Sequence, residues 1–254
     1  MQRLIARLDV KNGIVIKGIH LEGQRRIGAP VELAANYYAQ GVDEVLFMDS
    51  VASLYGRSNL FDTITEACKQ VFVPITIGGG LRSVEDVELA LAAGADKVAV
   101  NSALVRTPEL ATQIATLYGR QCLVASIEAK RVASGWEAYI SNGREPTGRD
   151  VLDWVRELER RGAGEILLTS VDQEGTQRGF DIELCEAVEK AVRIPIVASG
   201  GAGKVRHLSQ LDQTVHLQGI AIASLLHYGK ATVAELKSAL SDAHARKWVG
   251  ACSQ

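Results

Sequence analysis

The sequence of 254 residues lacks the signals of secreted, membrane-spanning and nucleic-acid-binding proteins. Its N-terminal apolar run is short and is interrupted by Arg7, so it predicts neither a signal peptide nor a membrane span. The four cysteines, Cys68, Cys122, Cys185 and Cys252, form no CxxC pair, which is typical of reduced thiols in a cytoplasmic protein. The formal net charge of −2 gives no electrostatic reason to expect a nucleic acid or an acidic membrane as a partner.

The sequence also lacks the motifs of metal and cofactor sites. Its five histidines are dispersed without the spacing of metal ligands, so no metal is expected. There is no P-loop, no dinucleotide fingerprint and no GxSxG turn, and we expect no bound cofactor.

What the sequence does contain is an alternation of apolar runs with stretches of helical period. Continuous apolar strands between amphipathic helices indicate a parallel sheet that is covered on its faces. Eight such units in about 250 residues predict an α/β fold, a (β/α)₈ TIM barrel, in preference to a doubly wound sheet with its single glycine-rich first turn. The predicted strands are 4–9, 44–49, 73–80, 96–102, 122–128, 165–170, 194–201 and 219–224.

The two halves of the chain resemble each other. LIARLDVK (4–11) resembles LVASIEAK (123–130), and VFVPITIGGG (71–80) resembles VRIPIVASGG (192–201). A near-constant separation of about 120 residues predicts one barrel over 1–254 with a twofold internal repeat of half-barrels. The halves would be about 1–120 and 121–245.

The repeat pairs Asp9 with Glu128 at the ends of strands one and five. The carboxyl ends of barrel strands build active sites, so these carboxylates would face each other across the mouth. Opposed carboxyls suit general acid and base catalysis, because their environments can separate the two pKa values. The alternative is that each pairs with a neighbouring lysine, Lys11 or Lys130.

Glycines form a second pair of features at the same rim. GGG (78–80) ends strand three and SGG (199–201) ends strand seven. Glycines let backbone N–H groups approach an anion, a following helix N-terminus adds a favourable dipole, and Ser102 and Ser224 can donate as well. Two phosphate cradles predict a long substrate with a phosphate at each end.

The strand-end motifs resemble, over essentially the whole chain, the cyclase subunit family of imidazole glycerol phosphate synthase (HisF). That resemblance is more specific than the barrel itself, because many motifs occur in the right order. The matching stretches are RLIARLDVKNG (3–13), PVELAANYYAQGVDE (30–44), IGGGLRSVEDV (77–87), GADKVAVNSA (94–103), EAKR (128–131), GAGEILLTSVDQEGT (162–176) and IPIVASGGAGK (194–204).

The resemblance implies a lyase-type cyclisation in histidine biosynthesis. Ammonia from a partner glutamine amidotransferase would attack the ribulose-phosphate nucleotide PRFAR and give imidazole glycerol phosphate and AICAR. The implied catalytic residues are Asp9, Glu128 and Lys17, with Lys17 on the loop after strand one. The implied phosphate-binding residues are Gly80, Asn101 and Ser102 for one end, and Gly175, Gly201, Ala223 and Ser224 for the other.

The resemblance also implies that the opposite rim docks the glutaminase and passes ammonia through the barrel. Arg3, Glu44, Lys97 and Glu165 begin strands one, two, four and six, where they would form a charged ammonia gate. The alternative is a salt-bridge cluster that only stabilises the fold.

Four residues depart from the family pattern: Arg7 for a cysteine, Val51 for a threonine, and Glu128 and Glu174 for aspartates. The sequence leaves two outcomes for Glu128: an ion pair with Arg7 that lowers the pKa of the carboxyl, or a free acid beside the substrate. It also leaves two other functions open. One is a HisF-like paralogue that channels ammonia to an amidino group on a surface sugar, and the other is a non-catalytic barrel that activates a glutaminase.

Overall fold

Eight parallel strands close into a barrel in the computed structural model, which describes residues 2–50 and 60–240. Twelve strands are present there: β1 (Arg3–Lys11), β2 (Ile14–Ile19), β3 (Glu22–Gly28), β4 (Glu44–Asp49), β5 (Ile75–Gly78), β6 (Lys97–Val100), β7 (Leu123–Val132), β8 (Gly135–Ile140), β9 (Glu145–Asp150), β10 (Glu165–Ser170), β11 (Ile196–Ser199) and β12 (Gly219–Ile222).

Helices follow the barrel strands and cover the outside of the barrel. They are α1 (Pro30–Ala39), α2 (Leu60–Ala67), α3 (Val84–Ala92), α4 (Ser102–Arg106), α5 (Glu109–Tyr118), α6 (Val151–Arg160), α7 (Ile182–Ala191), α8 (Val205–Thr214) and α9 (Ser224–His227), with a further helical stretch from 233 to 240. None of the helices in the described ranges is long and apolar enough to cross a membrane.

The barrel order is β1, β4, β5, β6, β7, β10, β11, β12, and β12 pairs again with β1. All eight of these neighbours are parallel, which confirms the predicted TIM barrel and excludes the doubly wound sheet. The division into two repeated half-barrels stays a prediction.

The strands bury both of their faces, and this explains their continuous apolar runs. Outward side chains pack against the helices in one large core, with Leu4, Phe47 and Ile127 among its fully buried members. Inward side chains fill the barrel in a smaller apolar layer: Ile5, Leu46, Ala99, Val124, Leu167, Val197 and Ala221. The base of the barrel, at the amino ends of the strands, and the upper rim, at their carboxyl ends, lie on opposite sides of this layer.

Two antiparallel hairpins extend the barrel at the upper rim. β2 and β3 continue from β1, and β8 and β9 continue from β7. The first hairpin corrects the prediction that Lys17 lies on a loop, because Lys17 is part of β2. The turn into β2 is Asn12-Gly13, both with positive φ, between the paired residues Lys11 and Ile14.

Candidate active site

Asp9 and Glu128 lie on the upper rim from opposite sides of the barrel. Asp9 is on β1 and Glu128 is on β7, and these strands are four apart in the eight-stranded barrel. Both side chains are buried, at 6% and 7% exposure. The two carboxyls have different neighbours, and these differences separate their chemistry.

Asp9 lies between two cations. Arg7 Nε donates to its Oδ1 at 2.9 Å, and Lys17 Nζ lies 4.0 Å from its Oδ2. Burial alone would raise the pKa of this carboxyl, but the charges of Arg7 and Lys17 and the hydrogen bond from Arg7 outweigh burial and lower it. Asp9 is therefore ionised in the folded protein at neutral pH.

Glu128 has no cation in contact with it among the described side chains. Its Oε2 accepts a hydrogen bond from Gly143 N at 2.8 Å, in the turn between β8 and β9. Burial raises the pKa of Glu128 to about 7, against smaller lowering contributions from the Gly143 N–H and the more distant Arg7. Of the two outcomes that the sequence left open, the ion pair between Arg7 and Glu128 is not formed, because Arg7 pairs with Asp9. Lys130 does not pair with Glu128 either and lies over the Tyr139 ring instead, with Nζ 5.3 Å from the ring centroid.

Lys17 reaches the rim from the first hairpin and contacts a buried carboxylate, Glu174 Oε1. Burial lowers the pKa of the Lys17 amine to about 8, although Asp9 favours the charged form. The hairpin is fixed to the loop after β10, because His20 N donates to the Glu174 carbonyl at 2.8 Å and the His20 ring contacts the Val171 carbonyl at 2.8 Å.

The first set of predicted phosphate-binding residues lies beside Glu128. Gly80, Asn101 and Ser102 line a cavity of about 180 Å³ that also contains Glu128 in its wall. Asn101 Nδ2 donates to the Tyr139 carbonyl at 3.1 Å, which ties this cradle to the second hairpin. The cavity wall also includes two arginines that the sequence reasoning missed, Arg82 and Arg106. Their signal was their position directly after the glycine and serine motifs.

The second set of predicted phosphate-binding residues lies beside Lys17. Gly175, Gly201, Ala223 and Ser224 line one small cavity together with Lys17, Glu174 and Arg7. Gly175 and Ser224 also line a larger open groove under the first hairpin. The helices after the two cradles, α4 and α9, have only five and four residues, so backbone N–H groups rather than long helix dipoles would hold an anion there.

A partly buried pair near Asp9 was also missed by the sequence reasoning. Tyr37 of α1 and His227 of α9 are hydrogen-bonded through Oη and Nδ1 at 2.8 Å. Burial lowers the pKa of His227 to about 4, so this imidazole is neutral near Asp9. The residues are too far apart in the sequence, at 37 and 227, for spacing to have paired them.

The base of the barrel carries the predicted ring of four charges. Arg3 contacts Glu44 at 2.8 Å and also contacts Glu165, and Lys97 lies 2.9 Å from each of the same two carboxylates. Thr76 adds a hydrogen bond to Glu44 at 2.7 Å. The ring is closed, and the apolar layer separates it from the upper rim.

Val51, one of the four residues that depart from the family pattern, lies outside the described residues. Within 2–50 and 60–240, no group of three or more histidine, cysteine, aspartate or glutamate side chains is arranged to hold a metal ion.

Comparison with known proteins decides the family. The model of the histidine biosynthesis protein family matches residues 3–232. An imidazole glycerol phosphate synthase subunit HisF from Legionella pneumophila is 57% identical over 208 residues, covering 82% of this chain and 98% of the relative. This chain belongs to the HisF family.

Other HisF proteins match over nearly the whole length of this family member. The subunit from Trichormus variabilis (strain ATCC 29413 / PCC 7937) is 45% identical over 245 residues, with 95% of each chain covered. The subunit from Myxococcus xanthus (strain DK1622) is 46% identical over 241 residues, again with 95% of each covered. Each of these relatives is named as a subunit of imidazole glycerol phosphate synthase.

Proposed function

We propose that this HisF family member is the cyclase subunit of imidazole glycerol phosphate synthase and converts PRFAR, with ammonia, to imidazole glycerol phosphate and AICAR. The observation that carries the proposal is the pair of opposed carboxyls at one rim, Asp9 ionised and Glu128 protonated up to about pH 7. The condensation of ammonia with a carbonyl carbon needs both forms at once, a base for the nitrogen and an acid for the departing oxygen.

The chemistry assigns a role to each carboxyl. Ammonia adds to the carbonyl carbon of the substrate, and the carbonyl oxygen leaves as water once it has gained protons. The new nitrogen then closes the ring by bonding to the amidine carbon, while the bond from that carbon to the amine of AICAR breaks and the amine leaves with a proton. Ionised Asp9 accepts a proton from the nitrogen, and protonated Glu128 donates to the departing oxygen. Lys17, charged and held over the mouth by the first hairpin, stabilises negative charge on the substrate between them.

The two glycine cradles suit the two phosphates of PRFAR. One lies beside Glu128 with Arg82 and Arg106 in its wall, and the other lies beside Lys17. A substrate held at both ends crosses the mouth of the barrel, so its reacting centre lies over Asp9 and Glu128. Fixing both ends lowers the entropic part of the barrier.

Ammonia would come from a glutamine amidotransferase subunit that docks on the base. The ring of Arg3, Glu44, Lys97 and Glu165 has two positive and two negative charges and stands where nitrogen would enter. Above it, the apolar layer offers no hydrogen-bonding side chain to delay a small neutral molecule. This arrangement supports passage through the barrel interior and isolation from water.

The deciding experiment is turnover of PRFAR by the purified chain with ammonium salt. We expect turnover by the wild type and a loss on the order of 10²-fold or more in Asp9→Asn and in Glu128→Gln. Lys69→Ala, which removes an exposed ion pair with Glu66, is the matched control and keeps the wild-type rate. A wild type that folds but turns over no PRFAR would contradict the cyclase and leave the sugar-amidination paralogue or the non-catalytic barrel.

A further inference from the structure

Four buried charges lie in a line on the Asp9 side of the upper rim, and Arg7 is the first of them. Arg7 contacts Asp9, Asp9 lies 4.0 Å from Lys17, and Lys17 contacts Glu174. The signs alternate, and each residue is less than a tenth exposed. Glu128 stands outside this line.

Arg7 is held in place from three strands. Besides the Nε contact with Asp9 at 2.9 Å, its Nη1 donates to Thr169 Oγ1 of β10 at 3.0 Å and to Ser199 Oγ of β11 at 2.9 Å. A guanidinium is planar, so these contacts fix its plane as well as its position. Turning away from Asp9 would leave two buried hydroxyls without these donors.

The charged groups that face Asp9 come from four elements: Arg7 of β1, Lys17 of β2, Glu128 of β7 and His227 of α9. His227 is neutral at neutral pH, because burial lowers its pKa to about 4. Lys17 is shared with Glu174, and burial lowers its pKa to about 8, so its charge is lost at alkaline pH. A guanidinium stays protonated over the whole range in which enzymes work.

We propose that Arg7 is a positioning residue that fixes Asp9 as the proton acceptor and thereby leaves proton donation to Glu128. The two carboxyls are similar in burial, so burial does not decide between them. The contact with Arg7 distinguishes the two carboxyls, because it is made by Asp9 and not by Glu128. The assignment rests on the proposed function, since acceptor and donor are roles in the cyclisation.

The test compares Arg7→Met, which removes the charge and keeps a long side chain, with Arg7→Lys, which keeps a charge. The measurement is kcat/KM for PRFAR, with saturating ammonium salt, from about pH 3 to about pH 9, because the ordinary aspartate pKa is about 3.9 and the acid limb of the wild type lies below it. The acid limb should move up by about one pH unit or more in Arg7→Met, since an adjacent arginine lowers an aspartate pKa by at least that amount. In Arg7→Lys, which keeps a charge, the acid limb should return most of the way to its wild-type position.

Thr169→Val is the matched control, because it removes one hydrogen bond of Arg7 without removing the charge. Its acid limb should stay at the wild-type position. Should Arg7→Met not fold, Arg7→Gln, which keeps side-chain donors for the two hydroxyls, takes its place in the same comparison.

A second readout does not use activity: carbon NMR of labelled aspartate carboxyls, with the Asp9 signal assigned by Asp9→Asn. Its titration midpoint should rise in Arg7→Met. If the wild type turns over no PRFAR, the proposed function fails while this titration still tests the contact. A lower rate with an unmoved acid limb and an unmoved Asp9 titration would overturn the proposal and make Arg7 a packing residue.

Discussion

At the scale of the residue, Glu128 shows how burial without a cation changes a carboxyl. It accepts a hydrogen bond from Gly143 N, and burial raises its pKa from the ordinary value near 4.5 to about 7. In the unfolded chain the same carboxyl ionises near its ordinary pKa. Folding therefore holds a proton on Glu128 between about pH 4.5 and about pH 7, and stability must fall as pH rises through that window.

We predict that Glu128→Gln stabilises the fold more at pH 8 than at pH 4. The wild type loses stability between about pH 4.5 and about pH 7, and above pH 7 its buried carboxylate is ionised, whereas glutamine has no charge to ionise. The difference should be on the order of 3 kcal/mol and reach its full size above the folded pKa. Urea unfolding of both proteins across this pH range measures it. Parallel stability curves would show that Glu128 is not protonated in the fold.

The placement of Asp9 and Glu128 at the rim was predictable from the sequence. The partner of Arg7 was not predicted, although the spacing of residues on β1 indicates it. Asp9 and Glu128 end apolar runs, and such runs end at one rim in a parallel barrel. Arg7 and Asp9 are two residues apart on β1, so they share one face of the strand, whereas Glu128 lies across the barrel. Alternation along the strand would have paired Arg7 with Asp9.

At the scale of the element, the first hairpin carries Lys17 and depends on a close approach of two backbones. Gly175 has φ +73°, and a Cβ there would lie 2.2 Å from the Gly18 carbonyl oxygen and 2.7 Å from Ile19 Cα. Only a glycine lets the hairpin lie against the loop after β10. The position of Lys17 therefore depends on a residue in the opposite half of the sequence.

We predict that Gly175→Ala displaces the hairpin and lowers PRFAR turnover on the order of 10²-fold, because Lys17 moves by about an ångström or more. Gly13→Ala is the matched control: its φ is also +73°, but a Cβ there meets nothing within 4 Å. Both variants bear the strain of an alanine at positive φ. Equal rates in the two variants would show that the contact with Gly18 does not matter.

Two strand boundaries followed from the sequence, whereas the strands predicted over 73–80, 96–102, 194–201 and 219–224 are shorter, with four residues each, and the first hairpin was missed. The predicted limits of β4 and β10 are those of the structure, Glu44–Asp49 and Glu165–Ser170. The first hairpin was read as a loop, although its first strand begins with three apolar residues, Ile14, Val15 and Ile16. Its signal was Asn12-Gly13 between apolar residues, a dipeptide that favours a two-residue hairpin turn.

At the scale of the whole molecule, the charged ring at the base stabilises the barrel and, in the proposed function, admits ammonia. Glu44 and Glu165 are nearly buried, and each is shared by Arg3 and Lys97. Removal of one cation leaves two carboxylates with a single partner. The stabilising and gating roles are separable, because only gating affects the source of nitrogen.

We predict that Lys97→Ala lowers the free energy of unfolding by about 2 kcal/mol, less than for a fully buried pair because the Lys97 side chain keeps 17% exposure. With a glutaminase subunit present, the ratio of glutamine-dependent to ammonia-dependent turnover should change. Lys69→Ala provides the reference for an exposed pair. Loss of stability with an unchanged ratio would make the ring a structural cluster alone.

Four of the barrel strands are short, and this brings the charged ring at the base close to the upper rim. β5, β6, β11 and β12 have four residues each, a rise of about 13 Å. On β6, Lys97 belongs to the ring and Asn101, directly after the strand, belongs to the cradle beside Glu128. In the proposed function, docking of a partner subunit at the base would therefore be coupled to the cradle through this one short strand. An inserted residue in β6 would shift the register of the strand and weaken that coupling.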